Sequence, residues 1–164
     1  MSDSPFRILP KVNDRNRHFW EGGREGKLQF LRCPHDGAYV HPPTPFCPVC
    51  YRKDLAVEAV SGRGKVATFT VNHQPWMPGP ELPYVVAIIE IDEDPTVRLT
   101  TNIVGCDPDA VKIGMPVKVT FEQHDDEEVW LPLFEPATQA TAALPTVAGE
   151  SRSLRRRPGE DGEG

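Results

Sequence analysis

The chain has 164 residues, a formal net charge of −6 and a sequence pI of about 5.4. That length holds one ordinary domain or two small ones, and the acid excess leaves no global basic field to draw nucleic acid. Apolar runs fall far short of a membrane span, and no signal-peptide pattern opens the chain, so no membrane partner and a cytoplasmic location are expected.

Met1 to Val12 is polar and irregular, with Pro5 and Pro10 opposing a helix. Asn13 or Asp14 suits the cap of a short helix running to about Arg24, its end loosened by Gly22-Gly23. Its apolar patch is His18-Phe19-Trp20, and Phe19 and Trp20 suit a docking surface as well as a core. Lys27 to Arg32 alternates as a strand, Ala38 to His41 returns, and Asp54 to Ser61 supplies a third strand. Pro42-Pro43-Thr44-Pro45 stiffens the connection between them.

Between these strands lie Cys33-Pro34-His35-Asp36-Gly37 and Phe46-Cys47-Pro48-Val49-Cys50. Two tight turns, each offering two ligands three residues apart, meet the needs of a tetrahedral zinc ion. Gly37 fits the open backbone of such a knuckle, because glycine reaches positive φ at no steric cost. Cys33, Cys47 and Cys50 are three ligands. Asp36, at the right spacing, is favoured as the fourth; His35 is better by chemistry but one residue early, and His41 is a third choice. Four protein ligands leave no open position, so the zinc is expected to be structural. So small a ribbon cannot bury a large core, and the metal supplies much of its folding free energy.

From Lys65 the chain reads as a string of strands. Val66 to Val71, Tyr84 to Ile91, Val97 to Val104, Met115 to Glu122 and Val129 to Phe134 are the candidates, with a short helical element between the third and fourth. Tyr84 to Ile91 is almost wholly apolar and is expected to be buried on both faces. Five strands in this order predict an OB-fold, with a five-stranded sandwich fragment as the alternative. The expected organisation is therefore mainly β: an N-terminal arm and helix over 1–25, a zinc ribbon over 26–61, an OB-fold over 62–136 and a disordered tail over 137–164.

These pieces resemble a family of domains, long labelled as of unknown function, that joins a helix, a rubredoxin-like zinc ribbon and an OB-fold. The resemblance runs through Phe19-Trp20-Glu21-Gly22, Gly26 to Cys33, Phe46 to Cys50, Gly64 to Val71, Gly105 to Asp109 and Ile113 to Val117, and covers about residues 13 to 136. Many members carry cysteine where this chain has Asp36. Members accompany thiolase-like proteins or are fused to hot-dog-fold hydratase domains in acyl-CoA pathways. The resemblance implies a non-catalytic accessory subunit of a thiolase-like partner, helping to form the acyl-CoA site for retro-aldol cleavage of a steroid side-chain β-hydroxyacyl-CoA. It also suggests a stand-alone subunit or an excised domain.

No residue cluster resembles a self-sufficient active site. Cys106 beside Asp107 and Asp109 is expected to be inert, because neighbouring carboxylates oppose a thiolate. His73, Trp76 and Met77 lie in the longest barrel loop and are candidate contacts to the acyl group or partner, alongside Phe19 and Trp20. Arg32, Arg52, Lys53, Arg63 and Lys65 are candidates for a basic patch toward CoA phosphates. The alternative function is a single-stranded nucleic-acid module, against which the acidic residues from 90 to 136 count. Iron-based electron transfer wants four thiolates, and only three are placed for it.

Overall fold

The structure is a computed structural model and describes residues 7–76, 81–124 and 128–137. Helix α1 (Arg17–Glu21) runs into a 3-10 turn at Gly22–Glu25. Strands β1 (Leu28–Arg32), β2 (Tyr39–Val40) and β3 (Ala56–Val60) form an antiparallel sheet in the order β2-β1-β3. Then come β4 (Arg63–Asn72), β5 (Tyr84–Ile91), β6 (Arg98–Ile103), a 3-10 turn at Pro108–Ala110, β7 (Pro116–His124) and β8 (Val129–Pro136). These last five strands close into a barrel in the order β4-β5-β6-β8-β7, with β4 pairing β7. The fold is thus mainly β: a short N-terminal helix, a ribbon and an OB-type barrel. The expected tail lies outside the described residues, Ala137 excepted.

The helix is shorter than the sequence suggests. Asn13 Oδ1 accepts the N–H groups of Arg15 and Asn16 at 3.0 and 3.3 Å, so the side chain stabilises a turn ahead of the helix instead of capping it. At the far end Gly22 and Gly23 tighten the backbone for lack of room. A Cβ on Gly22 would meet Lys27 O at 2.5 Å, and one on Gly23 would meet Trp130 Cβ at 2.4 Å and Phe121 Cδ1 at 2.5 Å. The turn is pressed flat on β7 and β8, which fastens the N-terminal segment to the barrel. Arg24 lies over the Trp130 ring at 5.0 Å and pairs with Glu128 at 3.0 Å.

Strand β4 begins at Arg63, between Gly62 and Gly64. Gly64 is needed inside the strand: a Cβ there would stand 2.4 Å from Glu90 O on β5. Strand β5 is not buried on both faces. Val85, Ala87, Ile89 and Ile91 are buried, while Tyr84, Val86, Ile88 and Glu90 are half-buried. A closed barrel has one inside, so even an apolar strand alternates.

The barrel interior joins these residues to Val66, Val97, Leu99, Ile103, Val111, Val117 and Phe134. Phe19 from α1 and Leu28 and Phe30 from β1 extend the same cluster into the ribbon. Phe19, 4% exposed, packs on Phe30 and on the His41 ring at centroid distances of 5.9 and 4.7 Å. Helix, ribbon and barrel are consequently one packed body.

Candidate metal centre

The two Cys-containing turns have matching backbones. In the first, Gly37 N–H donates to Cys33 O at 2.9 Å and Cys33 N–H to Ala38 O at 2.9 Å. In the second, Tyr51 N–H donates to Cys47 O at 3.0 Å and Cys47 N–H to Arg52 O at 2.8 Å. The fifth position of each turn has positive φ, +75° at Gly37 and +60° at Tyr51. Glycine adopts that conformation freely, whereas tyrosine is strained in it. The sequence reading noted Gly37 and missed Tyr51, whose position four residues after Cys47 was the available signal.

These turns bring together one ligand atom from each of Cys33, Asp36, Cys47 and Cys50, all within 4.8 Å of one another. Cys33 Sγ and Cys50 Sγ are 3.5 Å apart, and Cys47 Sγ lies 3.2 Å from Asp36 Oδ2. In a tetrahedral zinc site, bonds of about 2.3 Å to sulfur and about 2.0 Å to oxygen set edges of roughly 3.5–3.8 Å. The donor set therefore fits a four-coordinate metal ion.

Electrostatics point the same way. The Ala38 N–H, which Asp36 Oδ1 accepts at 3.0 Å, and then the neighbouring thiols hold the Asp36 carboxyl well below its usual range. The Arg52 N–H favours the Cys50 thiolate, but burial and the crowd of Asp36, Cys33 and Cys47 outweigh it and push the thiol up to about 12. Four acidic groups converge on one point, and a cation there relieves their mutual repulsion.

His35 is turned elsewhere: its Nε2 lies 2.5 Å from Asp54 Oδ2 and 3.4 Å from Arg52 Nη1. His41 is stacked among Phe19 and Phe30, where burial and then the His18 charge push its pKa down to about 4. The turns are buttressed from the sheet. Arg32 Nη1 contacts both Glu58 oxygens at 2.7 and 3.0 Å, Tyr39 OH donates to Glu58 at 2.7 Å, and Arg32 Nε donates to Gly37 O at 3.2 Å.

The other candidate residues fall in separate places. Phe19 is in the core, and Trp20 is half-buried beside it at a ring distance of 4.7 Å. His73 is exposed, as is Trp76 at 77%, its Nε1–H donating to Asn72 Oδ1 at 2.7 Å. Met77 lies outside the described residues. Cys106 is half-buried, and its thiol is raised first by burial and only second by Asp107. The basic candidates do not converge as a group: Arg32 is engaged by Glu58, Arg52 faces His35, and Arg63 lies 4.0 Å from Asp92.

Sequence reasoning missed a groove of about 690 Å³ where α1, the His41–Pro43 turn, β6 and β8 meet. Phe19 and Trp20 line it, and His73 and Trp76 do not. Its other walls come from residues far apart in sequence, such as Arg98 and Leu131, so no local pattern marks it. No helix among the described residues is long and apolar enough to cross a membrane.

A ribbon of two metal-binding turns joined to an OB-type barrel is the class of protein defined by this fold and cluster. Residues 20–56 match the family described as ChsH2, rubredoxin-like zinc ribbon domain, and residues 57–122 the one described as ChsH2, C-terminal OB-fold domain. A DUF35 domain-containing scaffold protein of Methanocaldococcus jannaschii is 41% identical over 99 residues, covering 59% of this chain and 69% of that protein. The chain belongs to this ChsH2/DUF35 family.

A solved structure described as the Ltp2-ChsH2(DUF35) aldolase contains a similar chain: TM-score 0.71, 38% identity, covering 79% of this chain and 100% of that one. The 3-oxo-4,17-pregnadiene-20-carboxyl-CoA hydratase alpha subunit of Mycobacterium tuberculosis is 39% identical over 126 residues, 76% of this chain and 39% of that subunit. The chain thus spans about two fifths of the length of the curated hydratase subunits it matches.

Proposed function

We propose that this chain is a non-catalytic accessory subunit of a thiolase-like catalytic protein. Together they form the acyl-CoA site for retro-aldol cleavage of a steroid side-chain β-hydroxyacyl-CoA. The observation that carries this reading is the likeness, over 79% of this chain and the whole of the matched one, to a chain of the Ltp2-ChsH2(DUF35) aldolase. The steroid-CoA name of the mycobacterial relative supports the substrate class. The partner supplies the base that takes the β-hydroxyl proton and the acid that protonates the shortened acyl-CoA. This chain supplies shape and water exclusion.

The metal is zinc, held by Cys33, Asp36, Cys47 and Cys50, and its role is structural. Three thiolates and one carboxylate suit zinc, and four protein ligands leave no position for substrate. The thiol outside the cluster, Cys106, is raised by burial and by Asp107, and His124 Nε2 is held 2.8 Å from Glu122.

The test is affinity purification of the tagged chain from its native cells, with metal analysis and assay of the recovered complex on a β-hydroxyacyl-CoA. One zinc per chain and release of a ketone with a shorter acyl-CoA are expected. Full turnover by the partner alone contradicts the accessory role.

A further inference from the structure

Strand β6 is fully paired on one side only. Strand β5 pairs with Arg98 through Ile103, whereas β8 meets β6 at the single pair Ile103↔Phe134. The Ile91 N–H donates to Val97 O, which sets the alternation of the β5/β6 ladder. Leu99 and Thr101 therefore exchange bonds with β5, and the N–H and C=O of Arg98 and Thr100 point away from it. Across that edge the β6–β8 register pairs neither residue with β8. Beside this edge the Thr101 hydroxyl donates to Pro132 O on β8 at 2.7 Å, and proline has no N–H to offer.

This open edge lies in the 690 Å³ groove, whose lining carries Arg7, Arg15 and Arg98 and no aspartate or glutamate. The sign is opposite to that of the chain, whose net charge is −6. Arg7 and Arg98 are held by Glu122 and Glu90 at 2.9 and 2.7 Å. The Arg15 side chain is exposed and has no ion-pair partner among the described residues.

We propose that this groove takes an extended, acidic strand of the catalytic partner, which adds to the free edge of β6. The proposal rests on the accessory-subunit reading and names the surface it uses. Backbone donors and acceptors two residues apart are complemented by the main chain of a strand, and the exposed Arg15 guanidinium, which no carboxylate among the described residues holds, fits an acidic side chain on that strand. Because helix, ribbon turn and barrel all wall the groove, one strand seated there fastens the three together.

The test is amide exchange on the full chain, alone and in its complex with the thiolase-like partner, with affinities for two variants. Exchange at Arg98 and Thr100 should slow about tenfold or more in the complex. Arg15→Glu should weaken binding about tenfold and reduce its salt dependence. Thr100→Pro removes an outward N–H and no ladder bond, and should weaken binding with little change in melting temperature. A complex of unchanged affinity in both variants, with exchange at Arg98 and Thr100 unaltered, overturns the strand proposal and leaves the accessory role standing. Failure to form any complex removes both. Protection of the same two amides by a CoA thioester alone gives the groove to a small molecule and overturns the proposal.

Discussion

On β5 alone the barrel buries Val85, Ala87, Ile89 and Ile91 to 1% exposure or less, while the outer ribbon strand β3 leaves Val57 52% exposed. In the ribbon, beyond the residues it shares with the barrel core, the fully buried side chains at the turns are Cys33 and Cys47. The barrel is therefore held by apolar burial around a closed sheet. The ribbon is three short strands whose far end gathers Cys33, Asp36, Cys47 and Cys50 into one cluster. One chain uses two means of ordering itself, and the shared seam of Phe19, Leu28 and Phe30 couples them.

The sharpest blow to the barrel side of this contrast is Phe134→Ala. Phe134 is 0% exposed and supplies the one β6–β8 pair, so a loss of about 3–5 kcal/mol is expected in urea unfolding. Gly23→Ala attacks the junction instead. A Cβ there meets Trp130 and Phe121 at 2.4 and 2.5 Å, and roughly 1–3 kcal/mol should be lost. The ribbon should then unfold in a separate, earlier transition, whereas a single unchanged transition would show that the junction does not couple the modules.

Histidine 41 gives the seam a pH dependence. Its pKa is pushed down to about 4 by burial and by His18, against about 6.5 in an unfolded chain. Between those values the unfolded state binds a proton that the folded state refuses, so this contribution to stability falls as pH drops from about 6.5 to about 4. His41→Phe should flatten that part of the profile in denaturant titrations; an identical slope in the variant would remove His41 as its source.

The smallest effects separate the two turns. Gly37→Ala should cost about 1–2 kcal/mol through its backbone alone, since the nearest atom to an added Cβ is Arg32 Nη2 at 3.8 Å. Tyr51→Gly, at the matching position, should change stability by less than about 1 kcal/mol and in the favourable direction. Metal retention against a chelator should follow the same order.

Much of this division was legible in the sequence. Cysteine spacing marks the turns because a metal demands near neighbours, and alternation marks the strands because side chains alternate in space. What escaped depends on packing across the chain. The alternating burial of β5 follows from barrel closure, the short helix from Trp130 and Phe121 against Gly23, and the place of His41 from aromatic rings on α1 and β1. The free edge of β6 emerges only once β8 is known to meet it at a single pair.

The contrast between the modules is tested most directly by residue-resolved amide exchange before and after the metal is stripped with a chelator. Amides from Leu28 to Val60 should lose protection on stripping, while those of Val85 to Ile91 keep theirs, and restored metal should reverse the change. Protection that survives stripping in the ribbon, or that disappears from both modules together, would contradict a ribbon ordered by metal beside a barrel that stands on its own core.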